Sequence, residues 1–71
     1  MTLALSPLNK PVEILQNPIN SDAKRRLETL GIIVGRRVLP VGESAGSLIL
    51  KVGDSKIALN KSTAMQIKVK L

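Results

Sequence analysis

The side chains able to do chemistry in this 71-residue chain are eleven Lys and Arg, five Asp and Glu, and a scatter of hydroxyls. There is no Cys, hence no disulfide and no thiolate metal site, and there is no His. The acids Glu13, Asp22, Glu28, Glu43 and Asp54 show no ligand spacing. A ferrous site normally recruits imidazole and carboxylate together, so the residues predict neither a metal site nor a cofactor. Ser6, Ser21, Ser44, Ser47, Ser55 and Ser62 have no imidazole to activate them, and no partner is visible for a lysine base. A GxxxxGK[ST] loop is missing, which removes that mode of nucleotide binding. The sequence therefore predicts no enzyme. One role in another protein's chemistry needs little machinery, namely an arginine supplied in trans to a nucleotide-hydrolysing partner. Arg25, Arg26, Arg36 and Arg37 are the candidates, set against the ordinary reading of solvated cations with Arg26 paired to Asp22.

The formal net charge of +6 suits nucleic acid, anionic lipid or an acidic protein face. Phe, Tyr and Trp are absent. That removes the stacking platforms on which single-strand binders rely, each worth about 1–3 kcal/mol. Phosphate contact alone would collapse with salt. The core must come from Leu, Ile, Val, Ala and Met, and 44% hydrophobic content places the chain outside the disordered class. The length predicts a single domain, residues 1–71, of marginal stability. No apolar run is long enough to span a membrane, and MTLALSPL lacks the basic start of a signal peptide.

These side chains need elements to hold them. Val12 to Gln16 has the length and branching of a strand, ended by Asn17, Pro18, Asn20 and Ser21. Asn20 or Ser21 caps a helix over about 21–30, with Asp22 in its first turn and Ala23, Leu27 and Leu30 as one apolar stripe. Gly31 is placed as the left-handed C-cap. Ile32, Ile33 and Val34 then cross apolar territory, Gly35 turns, and Arg36 to Val41 forms a strand with Pro40 marking an edge or end. Gly42 to Gly46 reads as a loop. Ser47 to Val52 and Ser55 to Leu59 flank the two-residue turn Gly53-Asp54. That closure pairs Val52 with Ser55, Lys51 with Lys56, Leu50 with Ile57, Ile49 with Ala58 and Leu48 with Leu59. Lys51 and Lys56 thus face each other, either splayed into water or awaiting an acidic partner. Asn60 caps a helical turn, and Gln66 to Leu71 closes as a strand with Ile67, Val69 and Leu71 inward. Five short strands and one helix predict a bent barrel whose closure removes exposed edges.

Leu27, Leu30-Gly31-Ile32, Gly35 and Val38 resemble the RL-x-x-LG-[ILM]-x-x-G-x-x-V core of the FeoA family, and Ile57-Ala58-Leu59, Ala64, Ile67 and Val69 resemble its ending. Many members of that family carry a glycine shortly before the first strand, where this chain has Asn9-Lys10-Pro11. The resemblance implies a mainly β fold, a small five-stranded SH3-like barrel. It implies a cytoplasmic accessory protein of ferrous iron uptake that binds and modulates the cytosolic part of the membrane GTPase transporter FeoB, held peripherally at the inner membrane through that partner. From exposure and charge, the contact surface is expected at Lys24, Arg25 and Glu28 on the helix, at Gly42 and Glu43 in the following loop, at Arg36 and Arg37, and at Lys51 and Lys56. The alternatives are a basic barrel that binds nucleic acid and a stand-alone relative of the SH3-like domain of iron-dependent repressors. Weak self-association through strand pairing stays open.

Overall fold

The computed structural model describes residues 1–17 and 21–71, apart from the side chain of Ser21, so the expected cap at Asn20 or Ser21 lies outside the described residues. A 3-10 turn at Leu3–Leu5 precedes β1 (Val12–Gln16), α1 (Ser21–Thr29), β2 (Arg37–Ser44), β3 (Ser47–Val52), β4 (Ser55–Asn60), α2 (Lys61–Ala64) and β5 (Lys68–Lys70). The strands form one antiparallel sheet in the order β4-β3-β2-β1-β5. It is the mainly β, SH3-like architecture expected from the sequence. Aliphatic side chains fill the interior: Leu3, Val12, Ile14, Leu27, Ile32, Val38, Leu48, Leu50, Val52, Leu59, Ala64, Ile67 and Val69 are all buried. With no aromatic to span the sheet, the bend must bring these short side chains together.

The β3–β4 hairpin has the predicted register at every pair, from Val52↔Ser55 to Leu48↔Leu59. Gly53 sits at φ +60° in the first turn position, as a type II′ turn requires. Asn60 caps α2, its side-chain oxygen accepting from the Ser62 amide at 2.8 Å. Before β1, Asn9 adopts φ +64° and donates its amide to Pro40 at 2.6 Å. Asn is the residue after glycine that best tolerates this left-handed conformation, which accounts for the missing glycine there.

Three expectations need correction. Leu30 does not anchor the helix, because it is 44% exposed. The reason is the way α1 ends. Gly31 lies at φ +98°, the Ile32 amide donates back to the Leu27 carbonyl at 2.9 Å, and Gly31 donates to Glu28 at 3.0 Å. This is a Schellman cap, in which the residue after the glycine packs on the helix's last inward side chain. Ile32 therefore takes the buried place against Leu27, while Ile33 and Val34, 42% and 54% exposed, pass over the surface.

The loop expected at Gly42 to Gly46 is instead the end of β2 and a tight turn. Val41 is an extra residue in β2, since Pro40 pairs with Leu50 and Gly42 with Ile49. The bulge shifts the register and bends the strand. Glu43 and Ser44 then pair with Leu48 and Ser47, and Ala45 (φ +50°) and Gly46 (φ +79°) close a two-residue turn. The third correction concerns the ends. β5 is shorter than predicted, Leu71 points to solvent at 68% exposure, and among the described residues β4 pairs with β3 alone, so the barrel keeps one open edge.

Candidate partner-binding surface

Strand alternation sorts the predicted contact residues before any contact is considered. Val12, Ile14, Val38 and Val69 face the interior, so their neighbours Glu13, Arg37, Leu39 and Lys70 face out. Across the outer surface one row runs Lys56–Lys51–Leu39 and the next Arg37–Glu13–Lys70. Lys51, Lys56 and Arg37 thus share a basic face, with Glu13 as the acid in its second row. The lysine pair is directly opposed and both side chains are exposed. Like charges placed this way repel by a few tenths of a kcal/mol to about 1 kcal/mol and favour whatever supplies a carboxylate between them.

Arg36 lies off the strand rows, at the turn end of this face. A methyl built on Gly53 would stand 3.3 Å from one of its terminal nitrogens, and one built on Gly31 3.6 Å from the other. Its guanidinium therefore spans the helix C-cap and the β3–β4 turn. On α1, Arg25 and Glu28 are exposed, whereas Lys24 is half-buried and lines a cleft with Leu15, Gln16, Asn17 and Val34. Gly42 and Glu43 sit in β2 past the bulge, and Glu43 holds Lys61 at 3.1 Å, the ion pair present among the described residues. The expected Asp22–Arg26 pair is not formed. The structure thus divides the predicted residues into three separate groups: the helix face, the basic sheet face with Arg36 at its end, and the Glu43 corner. Among the described residues no three acids come together.

A second feature escaped the sequence reading. Between α1 and β4 lies a groove of about 240 Å³. Ala23, Arg26 and Leu30 line it from the helix and Ala58, Leu59 and Asn60 from the strand, with Leu27 and Thr63 completing it. The same residues that the helical stripe placed in the core, Ala23 and Leu30, here line an open cleft. The signal that could have found it was the Gly31-Ile32 cap, which moves the anchoring role from Leu30 to Ile32.

The FeoA domain family model matches residues 1–71. The chain belongs to the FeoA family. Among solved structures, it superposes on iron(II) transport protein A of Clostridium thermocellum with a TM-score of 0.92 at 22% identity, covering 100% of this chain and 45% of that one. It superposes on Stenotrophomonas maltophilia FeoA with a TM-score of 0.79 at 32% identity, covering 99% of this chain and 89% of that one. That protein, solved with zinc, is described as a prokaryotic SH3 domain protein proposed as a ferrous iron transport activating factor. Cadmium-bound ScaR matches with a TM-score of 0.89 at 25% identity, and there this FeoA chain spans 35% of the relative's length. Comparison with curated protein sequences gives no match. The chain is thus about half the length of the Clostridium relative and about a third that of ScaR.

Within the FeoA fold, the signature glycines serve as backbone devices. Besides its positive φ, Gly31 packs so closely that an added methyl would lie 2.7 Å from a methyl of Val52. Gly35, at φ +91°, donates its amide to Ile14 at 2.8 Å and turns the chain toward β2. No helix among the described residues is long and apolar enough to cross a membrane.

Proposed function

We propose that this FeoA protein is a non-enzymatic accessory factor of ferrous iron uptake, which acts by binding the cytosolic part of a FeoB-type membrane GTPase transporter and modulating it. The whole-chain family match carries this reading. The site chemistry agrees with a binding role: the chain offers cations in outward rows. The basic face around Arg37, Lys51 and Lys56 favours an acidic surface on the partner, and the helix positions Lys24, Arg25 and Glu28 extend the charged contact. Exposed pairs of this kind steer encounter and set salt dependence more than they add affinity. A cytoplasmic position follows from the role, because the partner's GTP-binding domain is there.

The test is a pull-down with the transporter's purified GTP-binding domain in its nucleotide-free, GDP-bound and GTP-analogue states. Retention in at least one state, weakening as salt rises, is the expected result. Absence of retention in all three, with the FeoA chain shown to be folded by its dispersed amide spectrum, counts decisively against the reading.

A further inference from the structure

We propose that the groove between α1 and β4 receives an extended, acidic and apolar peptide segment, which adds to the sheet as a strand beside β4. Three observations converge on it. First, β4 ends the sheet. The two-residue turn makes Val52–Ser55 a hydrogen-bonded pair, so Leu50–Ile57 and Leu48–Leu59 are hydrogen-bonded pairs too. Lys56, Ala58 and Asn60 must then aim their amides and carbonyls away from β3, and no backbone bond from another described element reaches them. Second, the space beside that edge is already shaped: α1 supplies a second wall with Leu30 44% exposed and Ala23 half-buried. A strand added about 4.8 Å from β4 would lay alternate side chains against Leu30 and Ala23. Third, the charge is one-sided. Among the described residues Arg26 is the charged side chain lining the groove and no carboxylate lines it, and Lys56 stands at the turn end of the same edge.

The wall also decides between occupants. A second copy of this chain would have to bring its own barrel alongside β4, and α1 fills that side. A free segment brings only its own width to the groove of about 240 Å³. The inference deepens the accessory-protein reading, and it rests on that reading only for which protein carries the segment.

The direct test is an amide titration of the isotope-labelled chain with a synthetic nonapeptide of alternating valine and glutamate. Two control peptides replace every glutamate by lysine or methylate the backbone nitrogens facing β4. Expected are shifts centred on the Lys56, Ala58 and Asn60 amides, slowed hydrogen exchange at Ala58, and neither effect with the controls. Ala58→Pro removes an outward amide while leaving β3 pairing intact and should weaken binding about tenfold. Leu30→Glu, at an exposed position, should weaken it similarly and guards against a folding defect in the proline variant. Shifts confined to Arg37, Lys51 and Lys70, or equal binding of all three peptides, would overturn the proposal. The transporter's GTP-binding domain separates the two readings. If the domain binds wild type and Ala58→Pro equally and the valine–glutamate peptide gives no shifts at the β4 edge, the groove proposal fails and the accessory role stands. If the peptide binds but the domain does not, the groove stands and the accessory role fails.

Discussion

The two ends of the five-stranded sheet are finished differently. At the β5 end the N-terminal segment covers the edge: the Leu3 amide donates to Ile67 at 2.8 Å, Thr2 bridges Lys68, and the Val69 amide donates to Met1 at 2.9 Å. Leu3 then seals this side as a fully buried side chain. At the β4 end nothing pairs among the described residues, and a helix stands off across a groove. One end satisfies its backbone internally, the other leaves amides and carbonyls of Lys56, Ala58 and Asn60 available. An unpaired edge invites aggregation unless it is guarded, and here the guard is a helix wall with cations beside it. That difference separates the part of the molecule devoted to stability from the part free for contact.

The comparison breaks most visibly at Gly31, which locks the helix that walls the open end. Gly31→Val would force a branched side chain to φ +98° and into Val52, 2.7 Å away at the first carbon. An expected loss of about 3–5 kcal/mol is most of the stability of so small a domain, and thermal unfolding by circular dichroism should show little folded protein at 37 °C. Next come paired proline substitutions, one at each end. Val69→Pro removes the amide bonded to Met1 and should cost about 3 kcal/mol or more by urea unfolding, with Val69→Ala reporting the packing share of roughly 1–2 kcal/mol. Ala58→Pro, on the open edge, should cost less than about 1 kcal/mol. Equal costs at the two ends would show that β4 is not free.

The same contrast separates what was legible in the sequence from what was not. The register of the β3–β4 hairpin could be read from Val52↔Ser55 to Leu48↔Leu59 because its turn is glycine-led and its alternation unbroken, though β4 runs one residue further, to Asn60. The β2–β3 hairpin could not, since the Val41 bulge interrupts the alternation and Ala45 occupies a positive φ that sequence rules assign to glycine or asparagine. Leu30 was misplaced for a related reason. A helical stripe gives the direction of a side chain only while the helix lasts, and the Schellman cap hands the inward position to Ile32 one residue past the glycine. Most of the basic residues were legible as exposed, Lys24 being half-buried in a cleft, but their grouping was not. Pairing across strands brings Arg37, Lys51 and Lys56 together and leaves Lys24, Arg25 and Glu28 on another face, and only register decides that. The groove needs both the cap and the open edge, two tertiary outcomes with no local motif.

A smaller effect is expected where the two regions meet. Asn60 ends β4 and caps α2 through its bonds to the Ser62 amide and hydroxyl. Asn60→Ala should cost about 1 kcal/mol. Its outward backbone groups remain, so the valine–glutamate peptide should still bind within about twofold if strand addition dominates over side-chain contact. A larger loss in the titration would move the recognition from the strand backbone to the Asn60 side chain.

The smallest effect tests the lysine pair, and its sign is what matters. Lys51 faces Lys56 across the β3–β4 ladder on the exposed outer face. Replacing one partner by an acid converts a repulsion into an attraction, so Lys51→Glu should raise stability by about 0.3–0.8 kcal/mol, shrinking as salt is added. The same change removes two units of positive charge from the face proposed to meet an acidic partner. Retention of the transporter's GTP-binding domain should therefore fall and lose part of its salt dependence, while nonapeptide binding in the groove stays nearly constant, because the Lys51 side chain points away from it. A variant that is more stable yet binds the domain less well would show the opposed lysines to be kept at the expense of stability for contact. If stability rises and domain binding is unchanged at low salt, the basic face is a solvated surface and the open β4 edge alone carries recognition.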